Sequence, residues 1–232
     1  MAAFCFAAAG NVRNDVMDVA IDRVAHPSRP LARGSLSLRA ARTWALVWYA
    51  IAIVAGALVS WLGLVLVVAA LPLMEGYERI AKARGLIGNA MIGLLSGAPF
   101  ILGAIAVDHV GLAVLALAGL AALATLAREI LKDAEDVDAD RGARRTLPMT
   151  IGAARAGRVA AAFLVVAIAL SPLPWVLETV LGVAYLPAVG AADLCFLVAA
   201  FTGSGAPGRA QRFVKMGMVV ALAALLVGRV WG

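Results

Sequence analysis

Eight stretches of this chain are nearly free of charge, and most approach the length needed to cross a membrane. They fall near residues 1 to 10, 43 to 60, 61 to 77, 86 to 107, 110 to 127, 156 to 173, 179 to 201 and 213 to 230. A helix crosses a hydrocarbon core of about 30 Å with about 20 apolar residues. Of 232 residues, 63% are hydrophobic, and mean hydropathy is +0.95. Soluble domains do not carry that apolar share, so a water-soluble fold, disorder and coiled coil are excluded. The two cysteines, Cys5 and Cys195, are isolated in apolar contexts and read as packing residues. The expectation is an all-α polytopic membrane helical bundle of about eight helices. Seven are full and the first, at residues 1 to 10, is truncated.

Threading these spans alternately through a bilayer separates the charges. Arg13 to Arg42, Arg79 to Arg84, Arg128 to Arg158 and Arg209 to Lys215 fall on one side, leaving only Arg229 of the 20 Lys and Arg residues on the other. Basic residues collect in cytoplasmic loops, so residues 11 to 42 and 128 to 158 are placed in the cytoplasm. The net charge of +6 therefore reports orientation, not nucleic acid. The start of the chain lacks the basic n-region of a secretory signal.

The acidic residues cluster on the same side. In Asn14-Asp15-Val-Met-Asp18-Val-Ala-Ile-Asp22, steps of four put Asn14, Asp18 and Asp22 on one helical face. In Asp133-Ala-Glu-Asp136-Val-Asp-Ala-Asp140, steps of three and four align Asp133, Asp136 and Asp140. Like charges at these spacings repel, and charge near bilayer depth is costly. A cation between the stripes relieves both. Oxygen donors without His or Cys suit Mg²⁺ or Ca²⁺, and Mg²⁺ completes its shell with substrate phosphates. Each cluster precedes a basic segment, Arg23 to Arg33 and Arg141 to Arg145, whose guanidinium groups match phosphate oxygens. The alternative is an ordinary positive-inside loop beside solvated acids.

These motifs resemble the UbiA superfamily of intramembrane prenyltransferases, whose signatures are N-x-x-x-D-x-x-x-D and a later D-x-x-D-x-x-x-D. The resemblance extends over Gly10-Asn11, Pro27-x-Arg29-Pro30, Tyr77 and Lys82, Gly88-Asn89 and Thr146-Leu147-Pro148. Within the superfamily, Arg128 to Asp136 looks most like the branch that transfers a geranylgeranyl group to geranylgeranylglyceryl phosphate in ether-lipid synthesis. The resemblance implies a single integral membrane domain over residues 1–232, with a central cavity open towards the membrane. It implies Mg²⁺ held by Asn14, Asp18, Asp22, Asp133, Asp136 and Asp140, with Asp18, Asp22, Asp133 and Asp136 catalytic. Asn14, Arg29, Lys82, Arg128, Lys132 and Tyr77 would contact substrate, Arg29 and Lys82 on the diphosphate. The implied partners are a prenyl diphosphate, geranylgeranyl diphosphate foremost, a lipid-phase acceptor and membrane lipids. An aromatic acceptor, such as a quinone or haem precursor, and an inactive truncated homologue are the alternatives.

The family carries about nine membrane helices, and the chain starts inside what corresponds to the second. Ala139 stands where a Gly often precedes the last Asp. Gly203-Ser-Gly205-Ala-Pro-Gly208 formally matches a dinucleotide fingerprint, but without a βαβ unit it reads as a flexible turn. Gly93-x-x-x-Gly97 is expected to serve close helix packing within the chain. Asp193, inside an apolar span, divides between an acceptor contact and a structural hydrogen bond. A transporter would carry its acids at mid-membrane instead of at cytoplasmic ends. A CDP-alcohol phosphatidyltransferase would need D-G and A-R pairs that neither cluster contains.

Overall fold

The computed structural model describes residues 1–78, 84–138, 145–177 and 181–231. Among them the regular elements are all helices, eight long and two short. The long ones are α1 (Ala2–Ala25), α2 (Leu38–Val59), α3 (Trp61–Gly76), α4 (Leu86–Ala106), α5 (Leu112–Glu135), α7 (Ala153–Leu170), α9 (Tyr185–Thr202) and α10 (Pro207–Val230). Single turns α6 (Leu147–Ile151) and α8 (Leu173–Leu177) flank α7. Among the described residues six segments are long and apolar enough to span a bilayer: α2, α4, α5, α7 with α8, α9 and α10. The apolar α3 is shorter. This is the all-α membrane bundle expected.

The first helix differs from its expected form. Residues 1 to 10 are its apolar part, but α1 continues unbroken for 24 residues through the acidic motif. Apolar pattern alone ends where polarity begins, whereas backbone hydrogen bonding does not. The same applies to α5, which runs on through Arg128 and Asp133 to Glu135, and to α10, which starts at Pro207, before the expected 213.

Neighbouring helices pair as hairpins α2–α3, α4–α5 and α9–α10, with α5 central against α4, α7 and α10. The interior is built from small side chains. Ala41, Ala52, Ala127, Ala156, Ala160, Ala192 and Ala210 are fully buried, whereas Leu58 and Phe201 are 83% and 79% exposed. Large apolar groups outside and small ones between helices suit a lipid surround, where close backbone approach replaces hydrophobic collapse. On α4, a Cβ at Gly93 or Gly97 would stand 2.8 Å or 2.7 Å from the carbonyls of Ala122 and Ala118 on α5. The G-x-x-x-G stripe therefore packs within the chain. Ser96, beside it, donates to Gly93 O at 2.6 Å and Ala121 O at 3.1 Å. Before α4, Gly85 has φ +54, and a Cβ there would meet Leu147 N at 3.1 Å, so only glycine turns the chain there without strain.

Candidate active site

Of the cavities formed among the described residues, one lies between the helices that carry the two acidic motifs. It measures about 430 Å³ and lies among α1, α3, α4, α5 and Met218 of α10. On α1 its wall includes Ala3, Ala7 and Gly10. Asn14 and Asp18 continue that face at steps of four from Gly10. On α5 its wall is Thr125 and Arg128, and steps of four carry the face to Lys132 and Asp136. Both predicted motifs thus extend walls of the same cavity. Asp22, Asp133 and Asp136 fall in the last turn or at the C-cap of α1 and α5, where the helix dipole adds negative potential, whereas Asn14 and Asp18 lie further back along α1. A cation is the natural complement.

The individual residues divide as follows. Asn14, Asp18, Asp133, Asp136 and Tyr77 are half-buried, and Lys132 is exposed. Asp136 is the C-cap of α5, with φ −92 and ψ 9, so Asp133 lies in the last turn of the helix and Asp136 just past it. Asp133 is turned towards α4, where Asn89 Nδ2 donates to its Oδ2 at 3.0 Å. Asp22 is buried at 5% exposure and accepts from Arg29 Nη1 at 2.8 Å, while Asp15 lies 3.6 Å from the same nitrogen. Arg29, expected on the diphosphate, is thus folded back onto the end of α1. Arg128, on the cavity wall, pairs with its neighbour Glu129. Lys82 and Asp140 lie outside the described residues.

The oxygen donors of the two motifs fit a hard divalent cation. Among the described residues no three Asp, Glu, His or Cys side chains are close enough to hold an ion unaided. Asn14 and Asp18 on α1 with Asp133 and Asp136 on α5 would hold it jointly with substrate oxygens, the usual way Mg²⁺ is bound.

Sequence reasoning missed the ties between these elements. Arg13 donates to Glu75 through Nη2 at 2.8 Å and Nε at 3.3 Å, fastening α1 to α3. No short-range pattern announces that pair, which is 62 residues apart. The partner of Asn89 is 44 residues away. Asp193 accepts from Ser171 Oγ at 2.7 Å, a partner 22 residues away, and it also lines a cavity.

Fold and cavity together define an apolar helical bundle with a chamber between the helices that carry the two acidic motifs. The sequence profile of the UbiA prenyltransferase family matches residues 1–226, and the chain belongs to that family. It is accordingly a prenyltransferase, moving an alkyl group other than methyl. The digeranylgeranylglyceryl phosphate synthase of Natronomonas pharaonis is 40% identical over 223 residues, covering 95% of this chain and 80% of that protein. That of Haloquadratum walsbyi is 39% identical over 232 residues, covering 99% and 81%. A solved structure described as digeranylgeranylglyceryl phosphate synthase in membranes superposes with a TM-score of 0.78 at 30% identity, covering 99% of this chain and 83% of that one. The apo UbiA homologue from Aeropyrum pernix K1 shares the fold, with a TM-score of 0.81 at 21% identity over 96% and 85%.

Proposed function

We propose that this prenyltransferase transfers a geranylgeranyl group from geranylgeranyl diphosphate to geranylgeranylglyceryl phosphate at the cytoplasmic face of the membrane. The observation that carries the reading is the face of α1 that lines the cavity with Ala3, Ala7 and Gly10 and continues at steps of four to Asn14 and Asp18. A long apolar tail with a phosphorylated head has that same division. The relatives named digeranylgeranylglyceryl phosphate synthase support the acceptor.

The allylic C1–O bond of the donor breaks and diphosphate leaves. The acceptor's hydroxyl oxygen bonds to the resulting carbocation at C1 and releases its proton. Mg²⁺ would supply charge neutralisation on the departing diphosphate. Asn14, Asp18, Asp22, Asp133, Asp136 and Asp140 are the residues proposed to hold it there. Arg29, Lys82, Arg128 and Lys132 are proposed phosphate contacts, and Tyr77 a neighbour of the developing cation. The apolar wall of the chamber, with Phe6, Leu66, Ile92 and Leu95 among its residues, disfavours water beside the carbocation.

Membranes containing the protein, supplied with labelled geranylgeranyl diphosphate, Mg²⁺ and a panel of glycerophosphate and aromatic acceptors, test the reading. The expected product is the prenylated glycerophosphate, and Asp18→Ala or Asp136→Ala should lower turnover by ~100-fold or more. Diphosphate release without that product would overturn the acceptor assignment. Full activity in both variants would remove the metal site.

A further inference from the structure

A second cavity, about 440 Å³, lies among α4, α5, α7, α9 and α10. Ser96, Pro99 and Met218 line both cavities, so the two adjoin at mid-bundle. The first is walled in part by α1, which carries the first acidic motif, and the second is not. Ser171 lies on the wall of the second and is the C-cap of the 18-residue α7, which puts it about 27 Å from the acid-side end of that helix.

The second cavity is apolar except near that far end. There Tyr185 Oη donates to Ser171 O at 2.8 Å, Ser171 Oγ donates to Asp193 Oδ2 at 2.7 Å, and all three residues line the wall. The Ser96 hydroxyl is already spent on two backbone carbonyls. What remains is Asp193 Oδ1, a buried oxygen without a hydrogen-bond partner among the described residues. An orphaned carboxylate oxygen among apolar walls is costly, and an apolar molecule pressed against it gains nothing that offsets the cost.

We propose that the joined cavities receive the isoprenoid tail of the prenyl diphosphate and that Asp193, held by Ser171, is the stop that sets the longest tail accepted. The assignment rests on the transfer reading above. A tail ending short of Asp193 fills apolar space. A tail one isoprene longer must press its terminal methyl groups against the carboxylate. The length limit is therefore set by a polar group held in place, and removing the carboxyl group lifts the limit without rebuilding the cavity.

The protein in lipid nanodiscs would be assayed with farnesyl, geranylgeranyl and geranylfarnesyl diphosphates, comparing the parent with Asp193→Ala and Ser171→Ala. In the parent, kcat/KM should fall by ~10-fold or more from geranylgeranyl to geranylfarnesyl, a discrimination of the size hydrophobic pockets achieve. Asp193→Ala should abolish that fall, and Ser171→Ala should weaken it. A merely structural hydrogen bond would lower all three substrates alike and leave their ratios unchanged, which would overturn the proposal. Independently of turnover, a geranylgeranyl diphosphate carrying a photoreactive group at its far end should label the parent on α9 or α10, near Val189 or Leu225. Labelling confined to α1 or α3 would overturn the tail path. Labelling at Val189 or Leu225 with no transfer to any acceptor would support the tail site while overturning the transfer reading.

Discussion

Asp22 and Asp133 belong to different motifs, yet each leans on a group from outside its own helix. Arg29 reaches Asp22 from the segment after α1, and Asn89 reaches Asp133 from the start of α4. Such neighbours fix which way a carboxylate points, and losing them costs 10- to 100-fold in metal affinity or activity at comparable sites. Asn89→Leu removes the amide donor without adding charge. It should lower kcat/KM for prenyl transfer by ~10-fold or more while costing about 1 kcal/mol of stability, the worth of an ordinary hydrogen bond. Kinetics and thermal denaturation in detergent separate the two. A melting shift with unchanged kinetics would reduce Asn89 to a packing role. That Asn14 and Asp18 share one face of α1 was legible from spacing alone, because a step of four on one helix is local. The direction of Asp133 was not, because it depends on a partner 44 residues away.

Among the elements, the α4–α5 pair matters most to the site, since it carries Asn89, Arg128, Asp133 and Asp136 and walls both cavities. Its spacing is set by two glycines against two carbonyls. A side chain at Gly97 would start 2.7 Å from Ala118 O, whereas one at Gly103 on the same helix would meet nothing within 4 Å. Gly97→Leu should therefore cost about 1–3 kcal/mol through forced separation of the helices. Gly103→Leu should be close to neutral. Unfolding midpoints of the two variants in detergent give the comparison, and equal midpoints would mean that the helices can part freely. The existence of α4 and α5 and the purpose of their small-residue stripe were readable from the sequence. The ends were less so. The last turns of α5 are polar and α1 has a polar second half, so an apolar-run criterion stops short where backbone bonding continues.

At the scale of the whole molecule, orientation decides whether the acidic motifs meet cytoplasmic substrates. Nineteen of the 20 basic residues fall on the side proposed for those motifs, and such a bias sets the topology of polytopic proteins. The connection from α1 to α2 should then face the cytoplasm, and the turn from α4 to α5 should face outward. Ser35 and Val110 are both exposed in those connections, and the native Cys5 and Cys195 can be replaced by alanine to clear the background. A membrane-impermeant maleimide applied to intact cells should label Val110→Cys at once and Ser35→Cys only after permeabilisation. The reverse pattern would put the acids on the outer face, away from cytoplasmic diphosphates. It would also leave the basic residues on the side that membrane insertion disfavours, so the charge distribution and the chemistry of the acidic motifs are tested together.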